Sequence, residues 1–164
     1  MHDSSDLQFA RFFRTHYPAL VLYARQWTAE APDVVQEAFV KLAAEVPAPQ
    51  RPVAWLYRVV RNRALNARRG EIRRDRHCQH WAMMQTDTHS IADQDSLLAL
   101  RQALDGLAEE QREVVVARTW GGLSFQEIAE LTGRSLPTCH RHYHQALQQM
   151  KTQLAPNLPL KGQG

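Results

Sequence analysis

The sequence predicts an all-α protein with two small helical domains joined by a flexible linker, the second domain ending in a helix-turn-helix. Among 164 residues there are only 7 Gly and 8 Pro, and the abundant residues (Ala, Leu, Gln, Glu and Arg) favour helices over strands. Apolar residues recur at three- and four-residue steps through most of the chain. From 71 to 96 this periodicity is lost, and the segment becomes polar and then acidic. These observations predict the fold class and the division of the chain.

The first 70 residues contain three apolar stripes, each of which predicts a helix. The second helix is expected over 33–46 and ends at a short, stiff loop with Pro47, Pro49 and Pro52. The third is expected over 53–69, with basic side chains opposite its apolar face. The first stripe consists of Phe9, Phe12, Phe13, Tyr17, Leu20 and Ala24.

The helical pattern returns after residue 96. The spacing of Leu97, Leu100, Leu104 and Leu107 predicts one helix, and the segment EEQREVVVART predicts another. In SFQE, the Ser124 hydroxyl and the Glu127 carboxylate form a capping box that begins a short helix over 125–131. A turn at 132–135 and a last helix to about 154 complete a helix-turn-helix. We therefore expect domains at 1–75 and 97–155, an acidic linker at 76–96 and a disordered tail at 156–164.

Composition excludes several classes of protein. Hydrophobic residues make up 44% and charged residues 23%, which is ordinary for a globular protein. No apolar run approaches the roughly 18 residues of a membrane span, and the first residues lack the features of a signal peptide. Two cysteines are too few for a disulfide framework, so a cytoplasmic protein is expected. No paired carboxylates, nucleophile with base, or phosphate loop is visible, which predicts no enzyme, no cofactor and no metal.

Two helices carry polar faces suited to nucleic acid. In the last helix, the pattern places Leu136, Cys139, Tyr143 and Met150 inward and leaves donor side chains outward, as in a helix that reads the major groove. The basic face of the third helix has Trp55 and Tyr57 near its start as possible stacking surfaces. Solvated helix faces and tryptophans that anchor a core explain the same patterns, so this argument leaves both alternatives open.

Four stretches together resemble a bacterial sigma factor of the extracytoplasmic-function (ECF) type. DVVQEAFVKL at 33–42 is similar to the helix with which the family docks on RNA polymerase, and AWLYRVVRN at 54–62 to its minus-ten recognition helix. LDGLAEEQREVV at 104–115 and GLSFQEIAELTGRS at 122–135 resemble the opening of the minus-thirty-five domain. The resemblance covers nearly all of residues 7–154.

The resemblance implies a non-catalytic subunit that binds core RNA polymerase, directs it to promoter DNA and is itself controlled by an anti-sigma factor. Polymerase contacts are then expected from Asp33, Gln36, Glu37 and Phe39. An acidic and amide edge beside an apolar stripe also suits a basic coiled-coil partner. The alternative is that Asp33 and Glu37 only stabilise the start of their helix.

The resemblance also implies two sets of DNA contacts. The minus-ten set lies in the proline-rich loop and on the third helix, and comprises Gln50, Arg51, Trp55, Arg58, Arg61 and Asn62. The minus-thirty-five set lies at the start of the last helix, and comprises Ser135, Pro137, Thr138, His140, Arg141 and His144. The acidic linker would thread through the polymerase.

The last helix departs from the family pattern because it reads PTCHRHYHQA where a basic run similar to GTVKSRLHRA is usual. Histidines are largely uncharged at pH 7.5, so phosphate attraction should be weaker than usual. Protonation of His140, His142 and His144 would strengthen it, and we expect binding at the minus-thirty-five element to increase as the pH falls.

Two other interpretations remain open at this stage. A metal-responsive regulator would use His77, Cys78 and His80 with Cys139 and His140, but H-C-x-H is not a recognised zinc pattern. A free-standing helix-turn-helix regulator would need no polymerase and would usually dimerise on a palindrome. The similarity of residues 33–42 to a polymerase-docking helix argues against the second interpretation.

Overall fold

The structure is a computed structural model that describes residues 3–74 and 91–155. These two ranges contain seven α-helices and no strand, which confirms the predicted all-α class. In chain order the helices are α1 (Asp3–Ala24), α2 (Ala31–Ala44), α3 (Pro52–Arg74), α4 (Ile91–Asp105), α5 (Glu109–Thr119), α6 (Phe125–Thr132) and α7 (Leu136–Leu154). No helix in the described ranges has the length and apolarity that crossing a membrane requires.

Helices α1, α2 and α3 pack against one another and enclose the core of the first domain. Leu20, Val35, Leu56 and Val60 are completely buried in it, as their apolar periodicity predicts. Phe39 is 2% exposed and meets a cluster of α1 rings, with 4.6 Å between its ring centroid and that of Phe13. The core therefore fixes α2 and α3 against each other and leaves polar side chains of both helices exposed.

Helix α7 packs against α4, α5 and α6 and holds the second domain together. Local contacts fix both ends of α6, the helix that precedes α7. The Ser124 backbone N–H donates to Glu127 Oε2 over 2.8 Å and the Glu127 N–H donates to Ser124 Oγ over 3.1 Å, which confirms the predicted capping box. Gly133, at φ +70°, ends α6 in a left-handed conformation that favours glycine. The predicted helix-turn-helix is thus present.

The end of α3 and the start of α4 lie at different residues from those that the sequence predicts. Helix α3 continues to Arg74, five residues past its predicted end, because tertiary contacts stabilise its last turns. The Thr28 hydroxyl donates to Glu71 Oε1 over 2.6 Å. Helix α4 already begins at Ile91, inside the segment predicted as linker. The tail at 156–164 and the linker residues His77, Cys78 and His80 fall outside the described residues.

The two domains are packed directly against each other, an arrangement that the sequence left open. Helix α1 contacts α5, and α3 contacts α6. Tyr57 of α3 lies so close to Gly121, at the end of α5, that a Cβ atom there would come within 2.5 Å of the Tyr57 hydroxyl. The basic face of α3 consequently faces the second domain over part of its length.

Candidate polymerase and promoter surfaces

Helix α2 presents a row of three polar side chains on the side opposite its buried face. Asp33, Gln36 and Glu37 are all exposed and fall at spacings of three and four residues, which places them on one face of the helix. Glu37 forms an ion pair with Arg63 of α3, across the groove between the two helices. We call Asp33, Gln36 and Glu37 the α2 row. Its geometry suits contact with a partner that offers basic and amide-binding groups.

Phe39 does not belong to the α2 row. The expectation that it contacts the polymerase is not supported by its position, because its side chain is buried in the core of the first domain. The exposed apolar residue next to the row is Val40, which is 71% exposed. Phe39 fixes the position of α2 and does not offer a contact surface.

The predicted minus-ten residues divide into free and engaged groups. Arg58 and Asn62 are exposed on α3, and Gln50 is exposed in the loop before it. Trp55 is half-buried, with Lys41 Nζ 5.8 Å from the centroid of its ring, a cation–π contact. Arg61 and Arg51, in contrast, form ion pairs with the second domain. The structure thus brings the set together on one side of α3 but leaves only part of it available to DNA.

The buried carboxylate of Glu113, on α5, is the polar centre of the contact between the domains. Its side chain is 2% exposed. From the first domain, Arg61 Nε donates to Oε1 over 2.6 Å and the Tyr23 hydroxyl donates to the same oxygen over 2.9 Å. From its own domain, Arg134 donates to Oε2 over 2.8 Å. Both carboxylate oxygens are therefore satisfied, as a buried charge requires.

The pKa values of the partners reflect this arrangement. Burial, together with the negative charge of Glu113, raises the pKa of Tyr23 well above its usual range, so the phenol stays a donor. Burial is the largest single influence on the pKa of Arg61 and would lower it, but the hydrogen bond with Glu113, the charge of Glu113 and the interaction with Tyr23 together outweigh burial and leave the pKa raised. The cluster is consequently a neutral phenol and two fixed cations around one carboxylate.

Two further polar contacts flank Glu113. Glu109 Oε1 accepts from Trp27 Nε1 over 3.0 Å, and its Oε2 accepts from Arg68 over 2.9 Å. Partial burial raises the pKa of Glu109, but the bonds from Trp27 and Arg68 and the charge of Arg68 outweigh it and leave the pKa lowered. At the other end of the contact, Arg51 lies 3.1 Å from Glu130 and 3.7 Å from Glu127 of α6.

Helix α7 presents the predicted minus-thirty-five residues at its N-terminal half. Ser135, Pro137, His140, Arg141 and His144 are exposed, and Thr138 is half-buried. Ser135 also caps the helix, since its hydroxyl oxygen accepts from the Thr138 backbone N–H over 3.3 Å. The ring of His140 lies against Phe125, with 3.9 Å between centroids, and 6.5 Å separates the rings of His140 and His144.

The inward face of α7 follows the prediction with one exception. Cys139 is completely buried, and Met150 is 7% exposed. Leu136 was expected to point inward but is 39% exposed, because it lies in the first turn of the helix, beyond the edge of the core. His142 is half-buried; burial and the charges of Arg134 and Arg141 lower its pKa. Of the three histidines expected to titrate, His142 is thus the least suited to meet a phosphate.

Sequence reasoning missed Glu113 and Glu109. Glu113 stands directly before three consecutive valines and shares their burial, and this is the one signal that could have singled it out. Its partners Tyr23 and Arg61 lie 90 and 52 residues away in the chain, so no local pattern could pair them. Within the described ranges, no group of three or more His, Cys, Asp or Glu side chains could hold a metal ion.

The protein is a two-domain helical protein of the helix-turn-helix class. Its first domain has a basic helix, α3, beside the exposed α2 row, and its second domain contains the helix-turn-helix. Comparison with known proteins specifies it further. Residues 12–74 match the family model for Sigma-70 region 2, and residues 97–150 match that for Sigma-70, region 4. The chain belongs to the sigma-70 family of RNA polymerase sigma factors and is of the ECF type.

Two relatives show the range of similarity. The ECF RNA polymerase sigma factor SigE of Mycolicibacterium smegmatis is 31% identical over 134 residues, which are 77% of this chain and 52% of SigE. The chain therefore spans about half the length of that relative. The RNA polymerase sigma factor SigV of Bacillus subtilis is 26% identical over 132 residues, 76% of either protein.

Two solved structures share the fold. The sigma factor RpoE from Bartonella quintana, solved in complex with the anti-sigma factor NepR, has a TM-score of 0.66 and 22% identity, covering 92% of this chain and 99% of that one. CnrH, solved in complex with the cytosolic domain of CnrY, has a TM-score of 0.59 and 23% identity, covering 92% of this chain and 89% of that one.

Proposed function

We propose that this chain is a sigma factor that binds core RNA polymerase and directs promoter-specific initiation of transcription. The observation that carries the proposal is the match of both sigma regions, in order, to two helical domains that expose the corresponding surfaces. The α2 row docks on the polymerase, the polar face of α3 meets the minus-ten element, and the exposed start of α7 meets the minus-thirty-five element. As in other sigma factors, catalysis belongs to the polymerase.

The DNA contacts divide by chemistry. On α3, Arg58 and Asn62 offer donors to an opened strand, and the exposed part of the half-buried Trp55 ring offers a surface for stacking. On α7, Arg141 is the fixed cation among the predicted contacts, so it supplies the main attraction to phosphate. Removing Arg141 should weaken binding to all duplexes, whereas changes at Asn62 should affect some promoter sequences more than others.

An anti-sigma factor is the expected regulatory partner. The two solved structures described above are complexes with a second protein, and in one of them the sigma factor RpoE is bound to the anti-sigma factor NepR. We propose that a protein of this kind controls the present chain by covering the α2 row or the DNA-binding faces. Such a partner would compete with core polymerase for the free chain.

Co-elution with bacterial core RNA polymerase tests the proposal without knowledge of the promoter. Wild type is compared with a triple variant of the α2 row, Asp33→Ala, Gln36→Ala and Glu37→Ala. The matched control removes two acids and one amide elsewhere on the first domain, at the exposed positions Asp6, Gln8 and Glu45.

The proposal expects stoichiometric binding by wild type and by the control, and loss of binding in the α2 variant. Absence of binding by a folded, monodisperse wild type would overturn it and would favour a free-standing helix-turn-helix regulator. Dimerisation on palindromic DNA would then be the property to measure, since such regulators use paired half-sites.

A further inference from the structure

We propose that Phe125 is a positioning residue for recognition of the minus-thirty-five element, because it holds the imidazole of His140 so that the ring reads the N7 atom of a purine in the major groove. The inference rests on the proposed function, in which α7 meets that element. It gives one side chain of α7 a base-specific role, and it places the cause of that specificity in α6, the preceding helix.

The rings of Phe125 and His140 lie face to face. Their centroids are 3.9 Å apart and their planes are inclined by 33°. Two rings in edge contact keep their centroids about 5 Å apart or more, so this separation means that the phenyl ring covers one face of the imidazole. His140 is exposed all the same, and its side chain makes no hydrogen bond within the described ranges. Its ring nitrogens therefore keep their hydrogen-bonding capacity for a ligand.

Three helices restrain Phe125 itself. It is the first residue of α6, directly after the capping box. The guanidinium carbon of Arg118, on α5, lies 4.9 Å from the centroid of the Phe125 ring, and Arg118 is fixed by a 2.8 Å hydrogen bond from Nη1 to the Leu123 carbonyl. From α7, the Tyr143 ring meets Phe125 edge-on, with 5.3 Å between centroids and 76° between planes. The phenyl ring is thus a rigid support.

The other outward side chains of α7 are held less closely. Arg141 is exposed, and its hydrogen bond with the Thr138 hydroxyl is 3.5 Å long. The ring contacts of His144, with His140 and Tyr143, have centroid separations of 6.5 and 5.7 Å. Ordering a free side chain on DNA costs entropy, whereas a ring that is already held avoids this cost. His140 is therefore the preorganised contact of the helix.

The chemistry of imidazole suits one atom of the base pair. An imidazole ring has at least one N–H donor in either of its protonation states, and both purines present N7 as an acceptor in the major groove. Reversing a base pair moves N7 to the other strand, and a fixed ring cannot follow it across the groove. A held imidazole thereby distinguishes a purine from a pyrimidine on one strand, but it does not distinguish adenine from guanine.

The departure of α7 from the usual basic run agrees with this role. His140 stands where GTVKSRLHRA has lysine. A lysine ammonium is a mobile point charge that attracts phosphate at any sequence, whereas a flat imidazole stacks on a phenyl ring and directs its N–H along one line. Phe125 and His140 therefore act as a pair, in which the first supplies a surface that orients a flat side chain.

The test measures base preference with the full chain bound to core polymerase. Templates are promoters from start sites mapped with the wild-type enzyme, with the upstream element replaced by random sequence. Sequencing the transcribed templates gives the preference at each position. The variants are His140→Ala, Phe125→Leu, Phe125→Met and the double variant of Phe125→Leu with His140→Ala.

Leucine and methionine keep an apolar contact of similar size but offer no flat ring. Trp120→Leu is the matched control, because it removes an aromatic ring from an exposed position of the same domain, directly after α5. Circular dichroism checks that each variant keeps its helices. If Phe125→Leu fails to fold, Phe125→Met decides.

Wild type should favour a purine over a pyrimidine by about fivefold at one upstream position, roughly the effect of one net hydrogen bond. His140→Ala should abolish the preference at that position alone. Phe125→Leu and Phe125→Met should reduce it to about twofold or less, because the freed ring can turn toward either strand. Phe125→Leu should add nothing to the effect of His140→Ala, since it acts through that ring. Trp120→Leu should match wild type.

A preference that both Phe125 variants leave at the wild-type value would overturn the positioning role. A His140→Ala enzyme whose upstream preferences are unchanged, or are all weakened equally, would overturn base reading by His140 and with it the whole inference. The proposed function survives these outcomes as long as transcription from the mapped start sites requires the chain. Transcription that does not depend on the wild-type chain would instead remove the proposed function and the inference together.

Discussion

Two buried tyrosine hydroxyls, at Tyr23 and Tyr57, predict opposite effects of the same substitution. The Tyr23 hydroxyl donates to Glu113 over 2.9 Å. The Tyr57 hydroxyl is buried and has no hydrogen-bond partner in the described part of the chain. Both side chains are completely buried, and their ring centroids lie 4.8 Å apart. Replacing either tyrosine by phenylalanine therefore removes one buried hydroxyl from similar surroundings. The two substitutions differ because only that at Tyr23 also removes a hydrogen bond.

The magnitudes follow from these contacts. Tyr23→Phe loses a hydrogen bond to a charged group, which stabilises a protein by about 1.5–3 kcal/mol. In a chain of this size that corresponds to a fall in Tm of about 3–12 °C. Tyr57→Phe removes an unpaired polar atom and leaves a small void, so we expect a gain of about 1 kcal/mol and a rise in Tm of about 2–4 °C.

Calorimetry and urea unfolding of the two variants and wild type check this prediction. The changes in stability should add in the double variant only if the two hydroxyls act independently. Because the two rings are in contact, a departure from additivity would measure the coupling between them. A Tyr57→Phe protein that is less stable than wild type would show that the hydroxyl has a partner. A Tyr23→Phe protein with unchanged stability would refute the assignment of the Glu113 contact as a stabilising bond.

Two further predictions concern helix capping and pH. Ser124→Ala should lower the free energy of unfolding by about 1 kcal/mol, seen by urea unfolding, because the capping box is lost. Stability should decline above pH 10, because burial raises the pKa of Tyr23 and of Tyr57 and the folded state favours their neutral forms; a Tm that is constant from pH 9 to 11 would contradict this.

The helices were predictable because their causes are local. Apolar periodicity places Leu20 and Val60 in the core, and the capping box at Ser124 marks the start of α6. The boundaries that differ depend on contacts across the chain: α3 extends to Arg74 beside the Thr28–Glu71 bond, and no pattern near residue 71 encodes that bond.

The candidate surfaces were predictable to a smaller extent. Helical spacing is enough to place Asp33, Gln36 and Glu37 on one exposed face. A match to a family motif cannot decide whether a residue is exposed or buried, as Phe39 shows: it lies on the buried face of α2, although the resemblance implies a polymerase contact. Nor can it pair Arg61 with Glu113, since the docking of two domains depends on shape and charge over the whole contact. The role of each of these residues in binding remains a prediction.

Transcription by core RNA polymerase on genomic DNA, with and without the chain, tests the central claim most directly. Mapping the 5′ ends of the transcripts should show a set of discrete start sites that requires the chain. These sites should share two upstream motifs at constant spacing, one for each DNA-binding domain, and the Asp33→Ala, Gln36→Ala and Glu37→Ala variant should lose them. Start sites that are identical with and without wild type would contradict the account.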